Sequence, residues 1–260
     1  MGQHFLADKR ILRRIIDASD LSAQDTVLEI GPGRGFLTRE LAAHAGRVVA
    51  LELDRSLVAT LTDEFQNRSH VSIVHGEARD VDINTLIPKE ISYKVVANLP
   101  YYAASPIIRR FLNMSHRPSM MVVMLQYEVA REMTAKPGGM GFLSVLIQLR
   151  AKPMIVCKVP PRAFKPRPKV DSALLRVDVL SKPELELDSE KEFIELVRAG
   201  FSAPRKQVHN CLRKGLGLSP EEIGRMLTEA DVDPARRPQT LALEEWGAVY
   251  AAFKTARGVA

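Results

Sequence analysis

The chain has few cysteines, scattered histidines and no long apolar run. Its two cysteines, Cys157 and Cys211, lie far apart and fit no metal-ligand spacing, so we expect reduced thiols in a cytosolic protein. No apolar stretch approaches the roughly 18 residues that a membrane helix needs. The first residues lack the charged and then apolar pattern of a secretory signal. Because the six histidines form no ligand pattern, we also expect no metal.

Acidic residues are absent from two long stretches, 133–170 and 196–220, in a chain of 260 residues with a net charge of +6. Solvated helix faces normally mix both signs, so segregated positive charge favours contact with a phosphate backbone. Such contacts supply affinity rather than sequence choice. The basic residues concerned are Lys136, Arg150, Lys152, Lys158, Arg162, Lys165, Arg167, Lys169, Arg198, Arg205, Lys206, Arg213 and Lys214, with Lys9, Arg10, Arg13 and Arg14 near the amino terminus.

The order of apolar segments predicts an α/β fold followed by a small helical domain. Five strands alternate with helices, which is typical of a parallel, doubly wound sheet; they are expected at 26–30, 47–53, 71–75, 93–97 and 120–125. Two further strands, 153–159 and 173–180, have no helix between them and should form an antiparallel pair at one edge. After the acidic linker 181–188 only helices are predicted, at 189–201, 205–215, 220–229 and 243–255. We therefore predict two domains, 1–180 and 181–260.

A polar tetrapeptide, Asn98-Leu99-Pro100-Tyr101, follows the fourth predicted strand. It stands at the carboxyl end of that strand, where open α/β sheets bind their ligands. Pro100 removes a backbone donor, so the segment offers carbonyls, and the Asn98 amide adds another acceptor. With the ring of Tyr101, these groups suit a planar base that carries an exocyclic amino group. An ordinary strand-to-helix turn is the alternative, because Asn and Pro both favour turns.

A glycine-rich loop, Gly31-Pro32-Gly33-Arg34-Gly35, follows the first strand of the predicted sheet. Its glycines would let a ligand approach the backbone closely. Pro32 deletes an N–H group that a pyrophosphate would use, so a cofactor without phosphates fits better. Glu52 ends the next strand, at about the 20-residue spacing of the acid that holds ribose hydroxyls in nucleoside-binding folds. The loop, the acid and the tetrapeptide together predict a nucleoside-type cofactor beside a base.

These segments resemble the ribosomal RNA adenine N6,N6-dimethyltransferases over essentially the whole chain. The matching motifs are Gly2–Leu6, Glu29–Gly35, Asn98–Tyr101, Leu125–Gln126 with Glu128, Phe164–Ser172 and Gln207–Leu212. The resemblance implies a Rossmann-like class I S-adenosylmethionine methyltransferase domain over 1–180 and a small all-α domain over 181–260 that binds RNA or the ribosome. It also implies S-adenosylmethionine as the cofactor.

The same resemblance implies an enzyme of ribosome biogenesis. It would transfer methyl groups to N6 of adenines in small-subunit ribosomal RNA, two per base and on two adjacent adenines, within a pre-30S particle. We expect a cytoplasmic monomer without a membrane or metal partner. The sulfonium methyl is already activated, so the useful protein groups are acceptors aimed at N6, here the Asn98 side-chain oxygen and the Leu99 carbonyl.

Individual roles also follow from the resemblance. Glu77 would contact the adenine ring of the cofactor, with Asp80 as the alternative, and Glu29 would position the loop or the cofactor's amino group. Phe164 would form a second wall of the base pocket or else plug a strand end, and Tyr102 is expected to pack. The cofactor-binding residues implied are His4, Leu6, Gly31, Gly33, Glu52, Glu77 and Asn98. The catalytic residues implied are Asn98, Leu99, Pro100, Tyr101 and Phe164.

Three other functions fit parts of the pattern. A non-catalytic factor in ribosome assembly or transcription would not need the loop, Glu52 and Asn98 together. An enzyme that methylates DNA adenine or a glutamine side chain typically has Asn-Pro-Pro-Tyr, whereas this chain has Leu99 at the second place. An antibiotic-resistance methyltransferase of the large ribosomal subunit is the closest of the three, and the Phe164 motif with the basic helical tail favours the small subunit over it.

Overall fold

Seven strands form the main sheet of the structure, a computed structural model that describes residues 4–203 and 205–256. The strands are β2 (Thr26–Ile30), β3 (Arg47–Glu52), β4 (Val71–His75), β5 (Tyr93–Asn98), β6 (Met120–Gln126), β7 (Ala151–Val159) and β9 (Ser172–Val179). Their order is β4-β3-β2-β5-β6-β9-β7, in which β2 to β6 run parallel and β9 lies antiparallel to β6. The predicted α/β fold class is therefore confirmed.

The central strands of this sheet are buried on both faces. All five residues of β2 are buried, and β5 buries four of its six. This is the burial expected of parallel strands in a doubly wound sheet. The helices of this part are α1 (Lys9–Ser19), α2 (Phe36–His44), α3 (Arg55–Phe65), α4 (Ala104–Asn113) and α5 (Tyr127–Met133), with a 3₁₀ turn at Ile83–Thr85.

A second, two-stranded sheet brings the amino-terminal segment to the main sheet's carboxyl edge. β1 (Phe5–Leu6) pairs antiparallel with β8 (Phe164–Lys165), so that Leu6 lies opposite Phe164. The Ala7 N–H then donates to the Ala163 carbonyl at 2.8 Å, and Asp8 caps α1. Gly2 and Gln3, which belong to the predicted amino-terminal motif, lie outside the described residues.

The chain divides into two compact units, one of 1–130 with 152–180 and one of 131–151 with 181–260. A border after residue 180 agrees with the predicted linker, but the sequence analysis kept 131–151 in the first domain. That segment contains a helix without a sequence prediction, α6 (Phe142–Gln148). Its seven residues are too short for a clear helical period, and Pro137 and the flanking glycines indicate a loop.

The second unit has an apolar core of its own. Phe193, Leu212, Ile223 and Trp246 are all fully buried in it. Ser219 and Glu222 form a capping box at the start of its third carboxyl-terminal helix. These helices are α7 (Glu190–Gly200), α8 (Val208–Leu216), α9 (Pro220–Glu229) and α10 (Leu243–Ala256).

The described residues contain neither a membrane-spanning helix nor a metal-binding cluster. None of their helices is both long and apolar enough to span a bilayer. Nor do three or more His, Cys, Asp or Glu side chains of that part come together as a metal site would require.

Candidate cofactor and substrate site

A cavity of about 540 Å³ opens at the carboxyl edge of the sheet, between the glycine loop, β1 and the end of β5. Its volume lies within the range of about 300–1,000 Å³ that is typical of small-molecule sites. The residues that line it are Phe5, Leu6, Ala7, Glu29, Gly31, Pro32, Arg34, Phe36, Leu37, Arg39, Asn98, Lys165 and Pro166. Three residues predicted to bind the cofactor, Leu6, Gly31 and Asn98, are therefore brought together in one wall.

The glycine loop needs glycine for two different reasons. Gly31 has a φ of +68°, and a Cβ there would meet nothing within 4 Å, so a side chain would occupy the open space beside the loop. Gly33 has a φ of +58°, and a Cβ there would come within 2.8 Å of the Phe5 ring. Both conformations are costly for other residues. The loop thus leaves room for a ligand on one side and accepts the packing of β1 on the other.

Glu52 holds the glycine loop from the neighbouring strand. Its side chain is buried, and Oε2 accepts the Gly33 N–H at 2.9 Å. Oε1 accepts the N–H groups of Leu53 and Asp54 at 2.9 and 3.0 Å. Glu52 is not part of the cavity wall, so its direct role in this structure is to fix the loop. Contact with ribose hydroxyls stays a prediction.

Glu29 places an unsatisfied carboxylate oxygen at the cavity. The residue is 1% exposed, and its Oε2 has no hydrogen-bond partner among the described residues. Burial raises the pKa of its carboxyl to about 8; the Thr38 hydroxyl opposes the rise and the charge of Glu52 adds to it. A cationic amino group would satisfy such an oxygen. The wall therefore fits S-adenosylmethionine, which carries an ammonium group and no phosphate.

The residue before β1, His4, orients the Asn98 amide. Asn98 is the last residue of β5, and its Nδ2 donates to the His4 carbonyl at 2.9 Å. The side-chain oxygen is thereby left as the acceptor of the amide. His4 itself is held because its Nδ1 donates to the Pro166 carbonyl at 2.8 Å. His4 thus acts on the cavity through Asn98, and the pocket wall does not include it.

The backbone of the tetrapeptide is fixed on both sides of its second carbonyl. The Leu99 N–H donates to the Met124 carbonyl at 3.0 Å, and the Pro100 carbonyl accepts the Ala103 N–H at 2.9 Å. Across the described residues, no N–H donates to the carbonyl of Leu99. This carbonyl and the Asn98 oxygen are the two acceptors that the sequence analysis predicted.

Tyr101 and Tyr102 differ sharply in their surroundings. Tyr101 is half-buried, its Oη lies 2.7 Å from Ser172 Oγ, and its ring centroid lies 5.9 Å from that of His4. Burial raises the pKa of its phenol, which the Ser172 hydroxyl partly opposes. Tyr102 is 67% exposed. The expectation that Tyr102 packs against the protein is therefore wrong, because the turn at Pro100–Ala103 leaves its ring outside the core.

Three further residues of the predicted site, Glu77, Asp80 and Phe164, are not among those that line the cavity. Glu77 pairs with Arg79 at 3.0 Å, which lowers the pKa of its carboxyl, and Asp80 is exposed. Phe164 is 1% exposed and packs in an apolar cluster with Leu6 and Leu12. That packing matches the strand-end plug left open above; a wall role for Phe164 stays a prediction.

Leu6 and Phe164 were predicted site residues, but the pairing of their strands, β1 and β8, in the cavity wall was not predicted. Phe5 and Lys165 lie opposite each other in this pair, and the Arg34 guanidinium lies 5.0 Å from the centroid of the Phe5 ring. The pairing joins residues about 160 positions apart, and no local pattern signals it. The two segments were indicated only by the family motifs Gly2–Leu6 and Phe164–Ser172.

The structure combines a parallel sheet, a glycine loop at its carboxyl edge and the tetrapeptide Asn98–Tyr101 beside the cavity. This combination is typical of a methyltransferase that binds a nucleoside cofactor next to a base. The chain belongs to the ribosomal RNA adenine dimethylase family, whose profile matches residues 1–251. Membership of this family confirms the predicted enzyme class and S-adenosylmethionine as its cofactor.

Individual relatives support the assignment. The ribosomal RNA small subunit methyltransferase A of Dehalococcoides mccartyi is 43% identical over 246 residues, which are 95% of this chain and 84% of the relative. The crystal structure of the 23S rRNA methyltransferase ErmE is 27% identical, with a TM-score of 0.77 over 95% of this chain and 98% of that one. A dimethyladenosine transferase from Plasmodium falciparum, 24% identical, shares the fold with a TM-score of 0.82 over 98% of both chains.

The buried carboxyl of Glu29 predicts a pH-dependent stability of the ligand-free protein. Its folded pKa of about 8 lies above the ordinary value of 4.5, so the folded state binds the extra proton between these values. Stability is then lost as the pH rises from about 5 to above 8, by at most about 5 kcal/mol. Glu29→Gln should remove this loss, so its unfolding midpoint should exceed that of the wild type at pH 9 by much more than at pH 5.

The control for this measurement is Glu90→Gln, which changes an exposed carboxylate on a loop. Its difference from the wild type should not vary between pH 5 and pH 9. A Glu29→Gln difference that is equally constant would show that the carboxyl is ionised in the folded state throughout.

Proposed function

We propose that the protein transfers methyl groups from S-adenosylmethionine to N6 of adenines in small-subunit ribosomal RNA during ribosome biogenesis. The proposal includes two methyl groups per base and two adjacent adenines, within a pre-30S particle and by a monomer. Because ribosomes assemble in the cytoplasm, the proposed substrate would place the protein in that compartment. The single observation that carries the chemistry is the hydrogen bond from Asn98 Nδ2 to the His4 carbonyl. This bond uses the amide N–H group and leaves the amide oxygen available as an acceptor.

The tetrapeptide provides what an adenine amino group needs in order to react. The bound cofactor supplies a methyl group that is already activated, so no protein nucleophile is required. The N6 lone pair is delocalised into the ring, and N6 gains positive charge as it attacks. The Asn98 oxygen and the Leu99 carbonyl would accept hydrogen bonds from N6 and stabilise that charge, which is electrostatic preorganisation with the sign opposite to an oxyanion hole. Release of the proton to water needs no strong base.

The adenine must leave its stack to reach these acceptors. Unstacking costs a few kcal/mol and is cheapest in a loop or a distorted helix of RNA. The half-buried ring of Tyr101, held through Ser172, would stack on the extruded base. Dimethylation further requires a pocket that admits N6 after one methyl group is attached. These demands suit a structured RNA whose target bases are already exposed.

Exposed basic side chains lie on the two segments that follow β1 and β8, the strands whose residues line part of the cavity. α1 exposes Lys9 and Arg13 one turn apart, and the segment after β8 exposes Arg167 and Lys169. The two segments are linked by the hydrogen bond from the Ala7 N–H to the Ala163 carbonyl, which lies next to the β1–β8 pair. None of the ion pairs that the described residues form includes these four side chains. A surface of this kind fits an RNA phosphate backbone.

The second unit carries a further exposed basic group. Arg205 and Lys206 precede α8, and Arg213 and Lys214 lie in its last turn, all within the acid-free stretch 196–220. We assign RNA or ribosome binding to this unit on that charge. None of the residues that line the cavity belongs to this helical unit, so RNA or ribosome binding would give the unit a role of its own.

The alternative substrate is ribosomal RNA of the large subunit. ErmE, whose name gives 23S rRNA, shares the fold at 27% identity. The small-subunit relative from Dehalococcoides mccartyi is 43% identical over nearly the same length. This difference favours the small subunit. Transfer of labelled methyl groups to unmodified small subunits, compared with naked large-subunit RNA, tests the proposal directly; labelling of the large-subunit RNA alone would refute it.

Substitution of Asn98 by alanine removes the oriented acceptor. We expect methyl transfer to fall by at least about 10²-fold, the range found when one preorganised hydrogen-bonding group is removed from an active site. Affinity for S-adenosylhomocysteine, measured by calorimetry on the same preparation, should stay within a few fold and serves as the folding control. Turnover close to that of the wild type would refute the role of the amide.

Substitution of Glu52 by glutamine should weaken cofactor binding by about 10-fold or more, because a hydrogen bond to a charged group contributes roughly 1.5–3 kcal/mol. Glu52 also fixes the glycine loop, so affinity alone does not separate the two roles. Calorimetry with S-adenosylhomocysteine and with its 2′-deoxy analogue separates them. If Glu52 binds the ribose, the hydroxyl should contribute affinity in the wild type and much less in the variant; an equal contribution in both leaves only the loop role.

Neutralising the basic face of α1 should reduce the salt dependence of RNA binding. Each lost phosphate contact lowers the slope of log affinity against log salt by roughly 0.7–0.9, so Lys9→Gln with Arg13→Gln should lower it by about 1.5. Arg68→Gln with Lys89→Gln is the matched control, because both residues are exposed at the opposite edge of the sheet, before β4 and β5. Equal slopes for the two double variants would exclude α1 from the RNA surface.

A further inference from the structure

Tyr102 is an exposed aromatic side chain beside the proposed base site. Its 67% exposure is the largest among the exposed large hydrophobic residues of the described chain. An isolated exposed aliphatic residue is ordinary in a folded protein, but a ring of this size loses hydrophobic stabilisation when it is left in water. The other described tyrosines are buried or half-buried.

The backbone that carries Tyr102 is firmly held. It is the third residue of the turn closed by the bond from the Ala103 N–H to the Pro100 carbonyl. Ala103 and Ala104, which follow it, are buried, and α4 begins at Ala104. The ring is therefore presented on a fixed turn between a strand and a helix. A fixed platform keeps the entropy cost of stacking low.

Consecutive tyrosines point in different directions from this turn. The Tyr101 hydroxyl is bonded to Ser172, which directs its ring toward the main sheet, whereas Tyr102 faces solvent. An exposed aromatic ring beside a base site is the kind of surface on which single-stranded nucleic acids stack their bases.

We propose that Tyr102 is the stacking platform for the nucleotide next to the extruded adenine. The inference rests on the proposed function. When one base leaves a strand, its neighbour loses a stacking partner on one face. An aromatic ring at the mouth of the site replaces that partner and contributes roughly 1–3 kcal/mol per base. Tyr102 would then position the RNA while Asn98 and Tyr101 act on the target base.

The kinetic test uses three substitutions of Tyr102 with unmethylated small subunits as substrate. Tyr102→Ala and Tyr102→Leu should raise KM for the subunit about 5- to 100-fold, with kcat and cofactor affinity within a few fold. Tyr102→Phe should behave like the wild type, because the ring is retained. Equal KM values for the leucine and phenylalanine variants would overturn the proposal, since an apolar contact would then suffice.

A binding test that needs no turnover separates this inference from the proposed function. Tyr102→Trp places a fluorescent indole on the turn, and the native Trp246 is fully buried in the second unit. Single-stranded oligoadenylate RNA should quench the new indole. Ile91→Trp is the control, because Ile91 is exposed on the loop before β5, at the opposite edge of the sheet. Equal quenching, or none, in the two variants would overturn the stacking role even where small subunits are methylated normally.

Discussion

The parallel register of the central strands is the constraint on which the site depends. Ile30 at the end of β2 lies opposite Leu51 on one side and Ala97 on the other. The next residues in each strand are therefore Gly31, Glu52 and Asn98, and all three emerge at one edge. A slip by one residue would exchange the side chains that pack on the two faces of a strand and would move Glu52 or Asn98 out of line with Gly31. The apolar residues that build the core thus also align the polar residues that form the site.

The sheet edge by itself provides only half of the site. His4, the residue before β1, supplies the carbonyl that orients Asn98, and the Phe5 ring of β1 packs on Gly33. β8 holds β1 in place from far along the chain. A segment with two strand residues has little stability of its own, since isolated two-stranded pairs are marginal in water. The pairing of β1 with β8 therefore determines both the orientation of the Asn98 amide and this part of the cavity wall.

Local pattern was enough to predict the elements of the main sheet. The strand from Tyr93 and the turn after it follow from an apolar run that stops at Asn98 and Pro100. The pattern failed where long-range contacts decide. Tyr101 and Tyr102 are identical side chains in consecutive positions, so the sequence pattern does not distinguish them. The geometry of the turn buries part of Tyr101 and exposes Tyr102. Phe164 likewise gave no local sign of its burial against Leu6, because that contact spans most of the chain.

Glu29 links the chemistry of the cavity wall to the stability of the fold. A carboxyl near the end of a buried strand is costly when one of its oxygens has no partner, and the raised pKa expresses that cost as a preference for the neutral form. A cationic ligand at this wall would satisfy the oxygen and favour its ionised form, so ligand binding would offset the cost. Glu52, which approaches from the next strand, avoids the same cost through three backbone N–H groups. The two buried carboxyls therefore differ: Glu52 is satisfied by the protein and shapes the loop, whereas the Oε2 of Glu29 would be available to a cationic ligand.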